Sequence, residues 1–456
     1  MNNLEKRSVA ALASVYAMRM LGLFMVLPVF VLLGTDLQGA TPALLGVAIG
    51  AYGLTQALLQ IPFGFLSDRY GRKPLIYAGL VVFACGSLLA GFSDHIFGVI
   101  AGRALQGAGA IASVLMALAS DLTREEHRTK AMAAIGMSIG VAFSVSLVLG
   151  PLLGEWVGLS GLFFITGGLA LVAMLLVAKL VPTPAKTLLN ADQRPVPERF
   201  REVLRSDRLL RLDFGIFALH LTLTAIFIMV PMLLADQVGL PASSHWWFYL
   251  SVMLLSFVAM VPFIILAETR RKMKPVLCAA VLLLFLGMAS LDWVGTSLGF
   301  AWGAMFVFFM AFNLLEATLP SLVSKESPAG SRGTAMGVYS TSQFLGAFLG
   351  GVLGGAVFGY FGIDGLILML SVVLLAWLMV AVTMPTPEYT SSFVLQLSDS
   401  DKIQASSADA ILRSLPGVTD VVIIQETLTA YLKIDRQNFD EQRLREAGFL
   451  QSPASD

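Results

Sequence analysis

Five ionisable side chains sit within long apolar stretches of this chain: Arg19, Arg103, Asp213, His220 and Glu316. A charge in hydrocarbon is costly and is kept where it faces a protein interior or a wet cavity, so such groups mark candidate proton or ion pathways. Glu316 is the only carboxylate well inside its stretch, with Asn313 nearly one turn earlier, and is the first choice for a titrating acid. His220 carries the one side-chain chemistry whose charge changes near neutral pH, although a satisfied neutral imidazole is an equal alternative. Arg103, three residues before Gln106, is placed to tune a nearby acid or to form an internal structural pair. Arg19 is the other buried cation. Asp213 and Glu155 lie near the ends of their stretches and read as interfacial.

These groups must be positioned by a chain that is 57% hydrophobic and 13% charged. A soluble domain carries about 25% charged residues, so the composition defines a polytopic membrane protein. The 30 basic and 30 acidic residues cancel, which says nothing of partners because the charge is unevenly placed; no nucleic-acid partner is expected. Cys85 and Cys278 both fall in apolar stretches, which suits neither a disulfide nor a thiolate metal site. A spanning helix needs about 20 apolar residues. Runs of that kind occur at 9–34, 43–66, 75–92, 96–119, 130–153, 158–181, 210–235, 244–267, 275–293, 297–322, 333–359 and 362–384, which predicts twelve spanning helices. The connections at 35–42, 93–95, 154–157, 236–243, 294–296 and 360–361 contain no Lys or Arg, whereas the alternate ones are basic. By the excess of cations in cytoplasmic loops, both termini are expected in the cytoplasm of a multi-pass cell (inner) membrane protein.

The sequence divides at 182–209, a Pro-bearing, strongly basic linker in which Glu198–Arg208 is expected as an amphipathic helix on the anionic leaflet. The six-run halves, 1–181 and 210–386, repeat one another: Ile61-Pro62-Phe63 matches Val261-Pro262-Phe263, and Arg128-Thr-Lys-Ala-Met matches Arg332-Gly-Thr-Ala-Met. After residue 386 the pattern turns to strands and short helices in the order β-α-β-β-α, which suits a small ferredoxin-like α+β domain over 387–456. Leu415-Pro416-Gly417-Val418 followed by the hairpin resembles heavy-metal-associated domains, but the segment has no cysteine and metal carriage is not expected.

The polar stretch Gly64-Phe65-Leu66-Ser67-Asp68-Arg69-Tyr70-Gly71-Arg72-Lys73-Pro74 lies between two apolar runs and must be a membrane-surface loop. Gly64 is expected to allow close helix approach and Gly71 a tight reversal. Arg69, Arg72 and Lys73 are expected to hold the loop on the cytoplasmic side, and Asp68 to answer a charge or helix N-terminus elsewhere. The stretch resembles the G-x-L-a-D-r-x-G-r-k signature of the major facilitator superfamily. Leu21-Gly22 with Pro28-Val29, Arg103-Ala-Leu-Gln106-Gly107-Ala-Gly109, and Gly150-Pro151-Leu-Leu-Gly154 resemble further signatures of its drug/proton antiporters. Val31, Ser146 and Glu155 replace a proline and two glycines of those patterns. The resemblance implies a twelve-helix carrier in two six-helix bundles. It also implies an amphipathic small-molecule substrate, protons as the coupling ion, no other cofactor, no metal and no enzyme chemistry. A proton symporter or uniporter of the same fold, and a non-transporting sensor with the C-terminal domain as output, remain alternatives. That domain carries eleven acidic and six basic residues from Pro385 onward, so it is expected to dock on the basic cytoplasmic face of its own chain.

Overall fold

The computed structural model describes residues 1–183, 197–328, 331–386, 391–397, 405–424, 429–435, 438–447 and 449. Most of the linker at 184–196, and the predicted hairpin turn at Glu426-Thr427, lie outside the described residues.

The membrane part is helical. α1 (Asn3–Phe24) and α2 (Leu27–Gly34) are one apolar run interrupted before Pro28. There follow α3 (Pro42–Tyr70), α4 (Arg72–Phe92), and a run broken at Gly109 into α5 (Ile96–Ala108) and α6 (Ala112–Asp121). Next come α7 (Glu125–Leu180), the linker helix α8 (Pro197–Arg205) and α9 (Asp207–Met232). The rest of this part is α10 (His245–Thr269), α11 (Met273–Ala289), α12 (Leu298–Glu326) and α13 (Arg332–Val382). Among the described residues ten helical spans are long and apolar enough to cross a bilayer. Two of them, in α7 and α13, contain one non-helical residue each, Gly158 (φ 65°) and Gly362 (φ 66°). These glycines stand 204 residues apart, the spacing that also relates Arg128 to Arg332. Only glycine readily adopts such dihedrals, so both halves of the chain turn at the same internal position.

The linker helix is shorter than expected. It stops at Arg205 because Ser206 caps the next helix, its hydroxyl accepting from Leu209 N–H. Val203 is buried and Glu202 accepts from the Ser331 hydroxyl, so α8 packs on the chain itself rather than lying free on a lipid surface.

α13 packs against α9 along Gly346, Gly350 and Gly354, where an added Cβ would meet Phe217, Leu221 and Ala225 respectively. Its other face lies on α3. A Cβ at Gly50 or Gly53 would come within 2.6 Å of Phe348 O or 2.7 Å of Phe344 O, and Gly46 sits against Gly351 and Gly355. Small residues let helix backbones touch in this way. The seam lies toward the 35–42 end of α3. Toward the Asp68 end, the space beside Gly64 is bounded only by Ser113 of the same half, at 3.6 Å, and Gly337 of α13 has none of its neighbours within 4 Å. The expected tight approach at Gly64 is absent, although about one turn earlier Gln60 Nε2 donates to Thr341 Oγ1 of the other half (2.8 Å).

The C-terminal segment forms a three-stranded antiparallel sheet, β1 (Ser391–Gln396), β2 (Val418–Ile424) and β3 (Thr429–Ile434), in the order β1-β3-β2. α14 (Ala405–Ser414) follows β1 and α15 (Glu441–Glu446) follows β3. Leu395, Leu397, Leu412, Val421, Leu432 and Leu444 make its core, as strand alternation demands.

Candidate functional site

Gly71 makes the predicted reversal, with φ 94°, and leaves no other residue between α3 and α4. Arg72 then turns inward instead of snorkelling to solvent. Its side chain is 2% exposed and pairs with Asp68 on α3 and, at 3.1 Å, with Asp121 at the end of α6, while Nη1 donates to Ser67 Oγ (2.6 Å). Asp68 therefore has its partner one turn away in its own half in this conformation. Lys73 donates to Val181 O (2.8 Å), and Arg69 covers the Tyr70 ring. The second-half counterpart is Glu268, which accepts from Ser321 and Lys325 at 3.0 and 2.6 Å.

The antiporter-like motifs of α1–α2 and α7 meet one another. Gly150 faces Met25 O and Pro28, Gly154 faces Leu33 and Val29, and Gly22 faces Thr166. Pro28 interrupts the first run, and Gly150-Pro151 supplies the flat surface that the interruption needs.

Two polar clusters face different halves. In the first half Arg103 Nη1 donates to Gln106 Oε1 (3.0 Å), whose amide nitrogen donates to Ser87 Oγ (2.8 Å). The Arg103 guanidinium also reaches Ala48 O and lies 5.3 Å from the Tyr52 ring centroid. Gly107 lets this helix press against the Tyr52 backbone. Arg19 donates to Gln56 Oε1 and sits 5.9 Å from the rings of both Tyr52 and Phe83.

In the second half Gln343 of α13 joins two residues predicted separately. Its amide nitrogen lies 2.8 Å from His220 Nε2 and 3.3 Å from Glu316 Oε1. His220 Nδ1 faces Ile216 O at 3.3 Å, which fits a neutral ring donating from Nδ1 and accepting at Nε2. Glu316 Oε2 is 3.8 Å from His220 Nε2 and has no hydrogen-bond partner. Asn313 is turned away from the acid and donates to Ser256 Oγ (3.1 Å). Arg103 and Glu316 are not brought together here. Sequence reasoning passed over Gln343, Tyr52 and Gln56, which carry no charge to stand out in an apolar run. It also placed Asp213 at an interface, whereas Asp213 is buried with Oδ2 unpartnered. Between the clusters runs an aromatic chain: Phe24 on Phe143 (4.9 Å), Phe143 on Phe312 (5.8 Å), and Phe312 on His220 (6.1 Å).

A helical membrane chain of this design, with a buried signature-loop cation and ionisable groups inside both halves, is a membrane transporter. The chain belongs to the Major Facilitator Superfamily, whose sequence profile matches residues 12–351. It is 49% identical to the inner membrane transport protein YajR of Escherichia coli (strain K12), over 97% of this chain and 98% of that protein. It is 26% identical to the multidrug resistance protein MdtH of Aeromonas salmonicida, over 76% of this chain and 86% of that one. A bacterial homolog of the human lysosomal transporter Spinster, solved in an inward-facing and occupied conformation, superposes with a TM-score of 0.68 at 13% identity. That match covers 84% of this chain and 98% of the Spinster homolog, and shows the fold. The family and these relatives are transporters, not enzymes.

Proposed function

We propose that the chain is a proton-coupled antiporter that exports amphipathic small molecules across the inner membrane by alternating access. The turns at Gly158 and Gly362 inside the two longest helices support a reading of twelve spanning segments in two six-helix halves, 1–181 and 210–386, joined by the basic linker 182–209. The strand order β1-β3-β2, with a helix after β1 and another after β3, suits a ferredoxin-like domain at 387–456. Lys and Arg placement supports cytoplasmic termini; with that orientation the glycine seam would be the outer gate and this conformation inward-facing. Export of amphipathic compounds draws support from the multidrug relative and from the aromatic chain between the clusters.

The observation that carries proton coupling is the Gln343 bridge between Glu316 and His220. It holds a carboxyl and an imidazole side by side, with one carboxylate oxygen free to take a proton. A carrier needs only that proton and substrate bind the two conformations differently. The test is substrate-dependent proton release from proteoliposomes holding the full chain. Glu316→Gln should abolish pH-driven flux and spare substrate binding. Full proton-coupled transport by that variant would move the role to His220, and proton flow in the substrate's direction would replace antiport with symport.

A further inference from the structure

We propose that Arg19, Tyr52, Gln56 and Arg103 form a binding site for an anionic head group, so that the molecules handled by this carrier include organic oxyanions. The inference rests on the transport function proposed above and narrows its substrate class.

Arg19 and Arg103 are each 2% exposed, and among the described residues neither has a carboxylate within ion-pairing distance. Both guanidiniums lie against one ring, Tyr52, which is itself 2% exposed. A guanidinium does not shed its proton to escape burial, so two positive charges stand beside one ring without a carboxylate partner among the described residues. The unmet hydrogen-bonding atoms there share one character: Arg19 Nε and Nη1, Gln56 Nε2 and the Tyr52 hydroxyl all carry N–H or O–H groups without a partner. Gln56 turns its oxygen to Arg19, which leaves its amide N–H groups without a partner.

Buried water would fill the donors but leave both charges. A carboxylate or similar oxyanion supplies charge and several lone pairs together. Phe83 lies beside Arg19, and Phe344 of the other half lies 6.4 Å from the Tyr52 ring. That contact with Phe344 of α13 is the part of the cover that a separation of the halves would move. An anion held here would touch both halves and favour their approach. The acids of the second half lie elsewhere, on α9 and α12, and leave this site purely cationic.

The test uses full-length protein in nanodiscs, with thermal unfolding followed at constant ionic strength. Acetate, benzoate, 2-naphthoate and inorganic phosphate are the anions, and benzamide is the uncharged match for benzoate. Benzoate and naphthoate should raise the transition temperature saturably, and benzamide should not. Arg19→Gln should weaken the apparent affinity roughly tenfold or more, since a hydrogen bond to a charged group is worth about 1.5–3 kcal/mol. Arg19→Lys should retain part of it. If Arg19→Gln does not fold, Tyr52→Phe and Gln56→Leu carry the test, each removing an unmet donor without removing a charge.

No response to any carboxylate overturns the proposal, as does a response to phosphate alone, which would mark an adventitious ion only. Equal responses to benzoate and benzamide overturn it too. Carboxylate binding without proton-linked flux would sink the coupling mechanism and leave the anion site standing. Proton-linked flux of neutral compounds, with no carboxylate response, would do the reverse.

Discussion

Arg271 Nη2 lies 2.8 Å from Asp435 Oδ1, joining the loop between α10 and α11 to the end of strand β3 in the C-terminal domain. The other carboxylate oxygen of Asp435 accepts from Asn438 Nδ2 (2.9 Å), which orients the acid toward the loop. Arg271 is the only non-glycine residue with a positive φ (51°) among those described, so the loop holds a costly conformation at the point of contact. The loop is also the second-half counterpart of the signature stretch.

Docking of the domain on this loop, proposed from its excess of acid, leads to a first prediction. The pair is partly exposed, and such pairs contribute about 0.2–1 kcal/mol, so Asp435→Asn should shift the docked population by no more than about fivefold. Transport kinetics should move with it, and raised salt should mimic the variant in the wild type. The charge swap Arg271→Asp with Asp435→Arg should restore the original salt dependence. Identical kinetics for all three proteins across a salt series would reject docking.

At the signature loop, Asp121 should matter more for stability and Asp68 more for transport. The Asp121 side chain is 1% exposed and Asp68 is 21% exposed, yet both neutralise Arg72. Removing one partner of a buried pair costs about 3–5 kcal/mol, so Asp121→Asn should approach that loss and Asp68→Asn fall well below it. Asp68→Asn should instead depress transport and raise cytoplasmic cysteine accessibility. Its proposed second role is to meet the N-terminus of α13 near Ser331–Thr334 when that side closes. Unchanged labelling would remove that role.

Gly46→Val should prop the seam open. Its Cβ would press on the backbone of Gly351 and Gly355, where no side chain can move aside. In a variant lacking Cys85 and Cys278, a cysteine placed at Ala347, whose Cβ faces Gly53 across the seam, should become more reactive to a membrane-impermeant reagent from outside. Equal reactivity with and without Gly46→Val would count against the seam as a gate.

Gly158→Ala and Gly362→Ala test the repeated turns. Neither glycine has a neighbour within 4 Å of the added methyl, so the loss should be conformational, about 1–3 kcal/mol each. Thermal unfolding should show similar decrements at the two sites. A neutral substitution at either would mean that the turn relaxes.

Much of this was legible in one sequence where the signal was local. Gly71 had to reverse the chain between two apolar runs, and the alternation of Phe393, Leu395 and Leu397 announced a strand. The burial of Arg72 was hidden because Asp121 lies far along the chain. Gln343 was hidden because an amide gives no charge signal. Gly346, Gly350 and Gly354 recur at the four-residue spacing of one helix face. Its continuation at Gly351 and Gly355 acquires meaning only opposite Gly46 and Gly50, whose own spacing offered a clue that was passed over.

Gly46 at the seam and Asp68 at the signature loop belong to one helix, α3. At about 1.5 Å per residue they are roughly 33 Å apart. Gly107 clamps that helix to α5 near its midpoint, so the first half works as a lever with a short throw at one tip and an ionic knot at the other. From the Tyr52 contact to Asp68 the arm is about 24 Å, so a tilt of about 7° would carry the far tip roughly 3 Å, the span of one hydrogen bond. The mechanical advantage of α3 thus turns a slight loosening between backbones into the making or breaking of a charged contact on the opposite face of the membrane.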